Sequence, residues 1–244
     1  MHAMKRLRIF VLMLGAVLMI FSFNSCLDDD KYPADRYWIR VATVKPTSST
    51  SYYIQLDDST TLLPVDGSIP YFGLDEERRA LVNFTLLSDS IKGYSHAVKV
   101  NQIDSILTKS IASGLGAENN VVYGKDPVSL DYVWIAGNYI TFQFRTYFGG
   151  VKKHYLNLVQ TNEKKPYELE FRHHAYDDPK TAEGVGLISF RLNSLPDTEG
   201  ETVKLKIKCN TFSGDRTYEL DYNSAQRIFD PGPSPSSINF QIPK

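Results

Sequence analysis

The sequence predicts an all-β protein, and three observations carry that reading. From Tyr37 onward apolar and polar residues alternate with a period of two, the pattern of half-buried strands. Turn-forming residues punctuate the alternation at Asp57-Asp58, Asp66-Gly67, Gly149-Gly150 and Ser213-Gly214-Asp215. No segment keeps a helical period over a convincing length.

In chain order the expected strands of the first half are Trp38 to Val44, Tyr52 to Leu56, Ala80 to Leu87 and Ala97 to Ile103. Those of the second half are Tyr139 to Tyr147, His154 to Gln160, Glu168 to His173, Leu187 to Leu192, Val203 to Cys209, Thr217 to Tyr222 and Ile238 to Ile242. Ile140, Phe142 and Phe144 share one strand face, and Gly149-Gly150 permits a tight turn, so Tyr155 to Val159 is expected to return as a hairpin. Leu205 and Ile207 likewise face inward before Ser213-Gly214-Asp215, with Tyr218, Leu220 and Tyr222 coming back antiparallel. The small residues and two glycines of 110–117 suit no core strand and predict a domain boundary near Gly114. Residues 230–237, rich in Pro and Ser, read as an extended linker to the last strand.

The first 25 residues read as an export signal: Lys5, Arg6 and Arg8, then an apolar run from Ile9 to Phe23, then Asn24, Ser25 and Cys26. A spanning helix needs roughly 20 apolar residues, and this run has fifteen. An ordinary cleaved signal is the remaining alternative. The arrangement resembles a bacterial lipoprotein signal, which implies that Cys26 becomes the first mature residue and carries acyl chains. Two or more chains anchor a protein stably where one holds it only marginally. Residues 26–36 then read as an acidic tether, in which Asp28, Asp29 and Asp30 either resemble the signal for transfer to the outer face of the outer membrane or simply keep the tether solvated.

Three of the 27 basic residues and none of the 28 acidic ones lie in residues 1–25, so the remainder carries 24 against 28, a net charge of −4. Such a surface does not attract phosphate backbones, and nucleic acid is not an expected partner. With Cys26 lipidated, Cys209 is the one remaining thiol and cannot form an internal bridge. It lies on the apolar face of an alternating strand and is expected to be buried.

The chain resembles the NigD-like lipoproteins of Bacteroidetes. Six stretches carry the likeness: the Ser25 to Asp30 start, Arg79 to Thr85, Val100 to Lys109, Trp134 to Ile140, His154 to Val159 and Leu169 to Asp178. Asp126-Pro127-Val128 adds to them. The resemblance implies a five-stranded OB-type barrel over 37–109 followed by a β-sandwich over 116–244. The family takes its name from a bacteriocin locus, and no molecular activity comes with it.

Candidate chemistry is sparse. Glu170, His173, His174, Asp177 and Asp178 are ligand types for a metal, but in a strand Glu170 and His174 share one face, His173 takes the other and the aspartates fall in the next turn. No metal or other cofactor is expected from them. His96 and His154 stand alone, while Asp57-Asp58 and Glu76-Glu77 read as turn and solvated residues. No nucleophile elbow, zinc helix motif, phosphate loop or dinucleotide glycine pattern is present, so an enzyme is not expected.

Fifteen Tyr, thirteen Phe and two Trp supply a strand-forming core at Trp134, Phe142, Phe144 and Phe190. Adjacent Tyr52 and Tyr53 must face opposite ways. The triplets at Asp58, Asp89 and Asp104 resemble an O-glycosylation pattern of Bacteroidetes. Two roles follow: a non-catalytic accessory protein docking an envelope protein partner, preferred because no paired-tryptophan platform is visible, or a surface glycan-binding lipoprotein. A row of exposed aromatic rings on one face would favour glycan.

Overall fold

Five strands close into a barrel in the first half of the chain: Trp38–Pro46 (β1), Tyr52–Leu56 (β2), Thr61–Pro64 (β3), Arg78–Leu86 (β4) and His96–Ser105 (β5). Their order is β1-β2-β3-β5-β4, with β1 antiparallel to both β2 and β4 and β3 parallel to β5. This is the OB-type barrel that the resemblance implies. The computed structural model describes residues 36–65, 68–69, 76–91 and 93–225. Cys26, Asp28, Asp29 and Asp30, the Asp66-Gly67 turn, the 230–237 linker and the strand expected at Ile238 to Ile242 lie outside them.

Alternation sets the barrel core, with Ala42, Val44, Ile54, Leu62, Ala80, Val82, Phe84, Val98 and Val100 pointing inward. Fully burying one such aliphatic or aromatic side chain contributes roughly 1.5–3 kcal/mol. β3 has only four residues and ends in proline, too short for a period to show in the sequence. A bulge in β5 places Asn101 out of register, and its amide donates to Asn83 Oδ1 and Thr85 Oγ1, both at 3.1 Å.

The chain leaves the barrel at Ile106, and Leu107–Ser110 (β6), which the sequence groups with the barrel, pairs in parallel with a sandwich strand. Ala112–Ser113 (β7) and the single-turn helix Asn119–Val122 (α1) follow, then Ser129–Ala136 (β8), Tyr139–Phe148 (β9), Tyr155–Gln160 (β10), Glu168–His174 (β11), Ala182–Arg191 (β12), Val203–Thr211 (β13) and Gly214–Tyr222 (β14). One sheet has the order β14-β13-β11-β10-β7, the other β6-β12-β9-β8. Ile140, Phe142, Leu158, Phe171, Phe190, Leu205 and Ile207 fill the space between them.

Two expectations are corrected by this topology. The small residues around Gly114 do not simply break the chain: β7 runs beside β10, and Gly114 donates its N–H to Gln160 O at 2.7 Å. A Cβ there would lie 2.7 Å from the same oxygen, so only glycine fits so close an approach. The Gly149-Gly150 turn does not close a hairpin. β9 pairs with β8 and β12, while β10 crosses to the opposite sheet and pairs with β11. Alternation is the same whether two strands hydrogen-bond side by side or face each other across a core, so the pattern alone cannot separate the cases. β13 and β14 do form the expected hairpin. β8 is unmarked in the sequence because a bulge at Leu130/Tyr132 breaks its alternation.

Barrel and sandwich belong to the compact unit beginning at Tyr37, and a buried ion pair knits them. Arg79 donates to Asp57 through both terminal nitrogens, at 2.5 and 2.8 Å. The same guanidinium reaches Thr43 Oγ1 at 3.2 Å in the barrel and Thr141 Oγ1 at 3.0 Å in the sandwich, and Trp134 Nε1 donates to Asp57 Oδ2 at 2.8 Å. Asp57 is therefore no solvated turn residue but a buried anion at the junction. Glu77 also serves there, accepting from Tyr139 OH at 2.8 Å. Removing one partner of a buried pair leaves an uncompensated charge and costs about 3–5 kcal/mol. Asp57→Ala should lower unfolding stability by that amount and redshift Trp134 emission, both read by denaturant titration followed through tryptophan fluorescence.

Candidate functional site

The barrel abuts the sandwich at the end of β8, the start of β9 and the end of β12, through Trp134, Tyr139, Thr141 and Arg191. At the opposite end Phe148 lies across from Ala182, Tyr155 across from His174, and Thr211 across from Gly214. That distal end gathers exposed apolar and aromatic side chains: Tyr147, Phe148, Val151, Tyr155, Tyr176 and Phe212. Single exposed apolar residues are ordinary, whereas a cluster of them marks a contact surface.

A buried carboxylate shapes this end. Asp178 follows β11 and accepts the backbone N–H groups of Gly149, Gly150, Val151 and Lys152, the last three at 3.1, 2.9 and 2.6 Å. It thereby fastens the crossover between the sheets. Burial alone would raise its pKa, but the four donors together outweigh burial and hold it down at about 2. His154 Nε2 lies 3.3 Å from Asp178 Oδ2, and His154 Nδ1 lies 3.0 Å from Nε2 of buried His173. Burial, then the neighbouring His154, push His173 down to about 4.

The outer face of the five-stranded sheet carries a groove that ends among these rings. β11 turns Leu169, Phe171 and His173 inward and Glu170, Arg172 and His174 outward. It is paired in parallel with β13 as far as Phe171 and Cys209; beyond them Asp126 and Val128 donate to His173 O and Asn210 O and fill the fork. Gly124 leads into this segment with φ of +73°, and a Cβ there would lie 2.4 Å from His173 O. An open depression of about 290 Å³ lies at the fork, and one of about 450 Å³ continues along the seam. At the distal mouth His174 and Tyr176 stack with ring centres 3.7 Å apart and planes 7° from parallel, and Tyr155 meets Tyr176 edge-on at 5.5 Å. Phe212, at the tip of the β13–β14 hairpin, packs edge-on against Tyr147 at 5.4 Å.

Of the residues singled out in the sequence, the structure brings some together and separates others. His154 meets Asp178 and links it to His173, although His154 looked isolated. Glu170 is held by Arg172 at 2.6 Å, His174 pairs with Asp126 at 3.7 Å, and Asp177 is exposed. Among the described residues no group of three or more His, Cys, Asp or Glu is placed to hold a metal. Cys209 is buried as expected, and burial pushes its thiol up to about 12. Tyr52 points inward, its hydroxyl donating to Ile69 O at 3.0 Å, while Tyr53 is half-buried beside Tyr94. His96 Nδ1 lies 3.2 Å from Ser88 O. The groove residues Lys125, Lys208, Asn210 and Asp215 escaped sequence reading because they sit on three separate segments; adjacent αL residues at Tyr176 and Asp177 have no sequence signal beyond the aspartate.

The histidine chain makes stability pH-dependent. Unfolded His173 takes up a proton near pH 6.5, the folded residue only near 4, so folding favours the neutral form. Its contribution is full above about pH 6.5 and is lost as the pH falls toward 4, about 3 kcal/mol over that window. Asp178 acts in a lower window, its contribution disappearing from just below pH 4 to about 2. Guanidinium midpoints should therefore fall between pH 7 and 4.5 in the native chain, and His173→Leu should flatten that slope whatever its effect at pH 7.

Comparison with known proteins supports the two-part architecture. Residues 41–106 match the NigD-like N-terminal OB domain and residues 110–222 the NigD-like C-terminal β-sandwich domain. A crystal structure from Parabacteroides distasonis, provisionally described as toxin related, is 47% identical over 78% of this chain and 94% of its own, with a TM-score of 0.72. Two more distant crystal structures share the fold. A NigD-like immunity protein from Bacteroides caccae is 18% identical over 76% of this chain and 96% of its own, with a TM-score of 0.60. A Bacteroides fragilis protein provisionally described as a lipoprotein is 13% identical over 78% of this chain and 100% of its own, with a TM-score of 0.57. No curated protein matches. The tandem of an OB-type barrel and a β-sandwich, matched in order along the chain and shared with a relative of nearly half-identical sequence, makes this protein a member of the NigD-like family.

Proposed function

We propose that the protein is a lipid-anchored, non-catalytic binding protein of the cell envelope, held to the outer membrane through Cys26 and binding its partner at the distal end of the sandwich. The observation that carries the binding role is the concentration of exposed rings at that end, Tyr147, Tyr155, Tyr176 and Phe212, on a sandwich whose five-stranded sheet carries a polar groove on its outer face. Aromatic side chains with one apolar body and one polar tip dominate contact energetics while remaining tolerable in water. The signal-type start supports anchoring, and the lipoprotein description of the B. fragilis relative agrees with it.

The barrel abuts the sandwich at the end opposite the exposed rings. Mass spectrometry of the protein from a Bacteroidetes host should show a mature N-terminus at Cys26 carrying acyl chains, and Cys26→Ala should move the protein out of the membrane fraction. A mature chain retaining residues 1–25, or a Cys26→Ala protein still in the membrane fraction, would refute the anchor. Loss of partner capture from envelope extract in the double variant Tyr176→Ala/Phe212→Ala, with unchanged unfolding midpoint, is the expected sign of distal-end binding.

A further inference from the structure

We propose that the groove over the β11–β13 seam is a binding site for a neutral, linear oligosaccharide, with Tyr176 as its stacking platform. The inference rests on the binding-protein reading above and names its ligand class. Charge is the first ground. The fork is lined by three cations, Lys125, Arg172 and Lys208, and three anions, Asp126, Glu170 and Asp215. The depression that continues it has three of each again, Lys165, Lys206 and Lys208 against Glu168, Glu170 and Glu219. A balanced lining gives an anionic or cationic polymer no net attraction. It does offer closely spaced donors and acceptors, which is what a chain of vicinal hydroxyls requires.

Shape and the rings are the second ground. The two depressions share Glu170 and Lys208, so they form one trough along the outward residues from Glu168 to Arg172. At about 3.3 Å per strand residue the trough is roughly 13 Å long, enough for more than one sugar ring. Beyond its distal end the next outward residue of β11, His174, carries Tyr176, 41% exposed and stacked on it. Tyr176 and Asp177 are both left-handed, with φ of 53° and 58°. That conformation is unfavourable for a bulky residue, where glycine or asparagine would sit without strain. Strain retained at a ring that stays exposed beside its His174 and Tyr155 neighbours motivates a contact role. The apolar C–H face of a sugar ring suits the electron-rich face of a tyrosine. Lys208, half of the shared lining, is exposed and has no ion-pair partner among the described residues, so its ammonium can donate to hydroxyls.

The test is calorimetric titration of the full chain in detergent with cellohexaose, chitohexaose, maltohexaose and α-1,6-mannohexaose, with hyaluronan hexasaccharide as the anionic comparison. Saturable binding of at least one neutral hexasaccharide is expected, weakened about tenfold or more by Tyr176→Ala and by Lys208→Ala, each with an unchanged unfolding midpoint. Tyr176→Phe should retain binding, and Tyr132→Ala, on the outer face of the other sheet, should leave it unchanged. Should Tyr176→Ala fail to fold, Lys208→Ala, at an exposed strand position, reads the same groove. No binding by any neutral hexasaccharide, binding of the anionic one alone, or binding untouched by both groove variants would overturn the proposal. Capture of an envelope protein by the distal end with no sugar bound would do the same, while leaving the binding-protein reading standing.

Discussion

The Arg79–Asp57 pair is the constraint on which the arrangement of this molecule depends. Arg79 belongs to barrel strand β4 and is fully buried, so its charge is tolerable only if every neighbour cooperates. Asp57 supplies the counter-charge from the end of β2, Thr43 an acceptor from β1, and Thr141 another from the sandwich. Trp134, itself buried, closes the set by donating to the same aspartate, and Thr141 is in turn 2.8 Å from Ser189. The hydrogen-bonding network crosses from barrel to sandwich three strands deep. Its members cannot be satisfied unless both halves are folded and docked, which ties the two cores into one cooperative unit.

A second buried charge does the equivalent work at the other end. Among the described residues Asp178 has no cationic partner of Arg or Lys type; it is satisfied by four consecutive backbone N–H groups of the crossover that carries the chain from one sheet to the other. Such a nest is a strong anion site, and it fixes the path of Gly149 to Lys152 where no strand ladder does. His154 and His173 extend the chain of hydrogen bonds into the core. The aromatic residues of the distal end thus stand on a polar scaffold that is set inside the fold, so their positions do not depend on loop tips alone. The cost of that scaffold is sensitivity to acid, because its buried imidazole is held neutral.

Barrel, junction, sandwich and distal groove therefore lie in series. The polar outer face of the five-stranded sheet is laced by cross-strand pairs such as Lys204–Asp221 at 2.5 Å and Lys206–Glu219 at 3.5 Å, each contributing little in water. The trough runs over that laced seam and widens where β11 and β13 separate beyond Phe171 and Cys209, with the 124–128 segment seated in the fork.

Much of the fold was legible in the sequence. Period-two runs at Trp38, Tyr52, Ala80, Ala97, Glu168, Val203 and Thr217 all mark real strands, although β1 buries Val41 to Val44 without a break, Val41 packing with Trp134 and Ala136 of the sandwich. Cys209 and the alternating aromatic residues of β9 declared their burial the same way. The short or bulged strands β3 and β8 were silent, since four residues or a broken alternation carry no period. Tertiary structure alone decided which strands pair: β9 and β10 read as a hairpin but belong to different sheets. It alone also decided the fate of charge. Asp57 and Asp58 are neighbours of the same type in one turn, yet one is buried against an arginine 22 residues away and the other faces water. Local pattern reports how much of a side chain is covered; it holds no information on what covers it, and partners distant in sequence are what made the junction, the Asp178 nest and the groove.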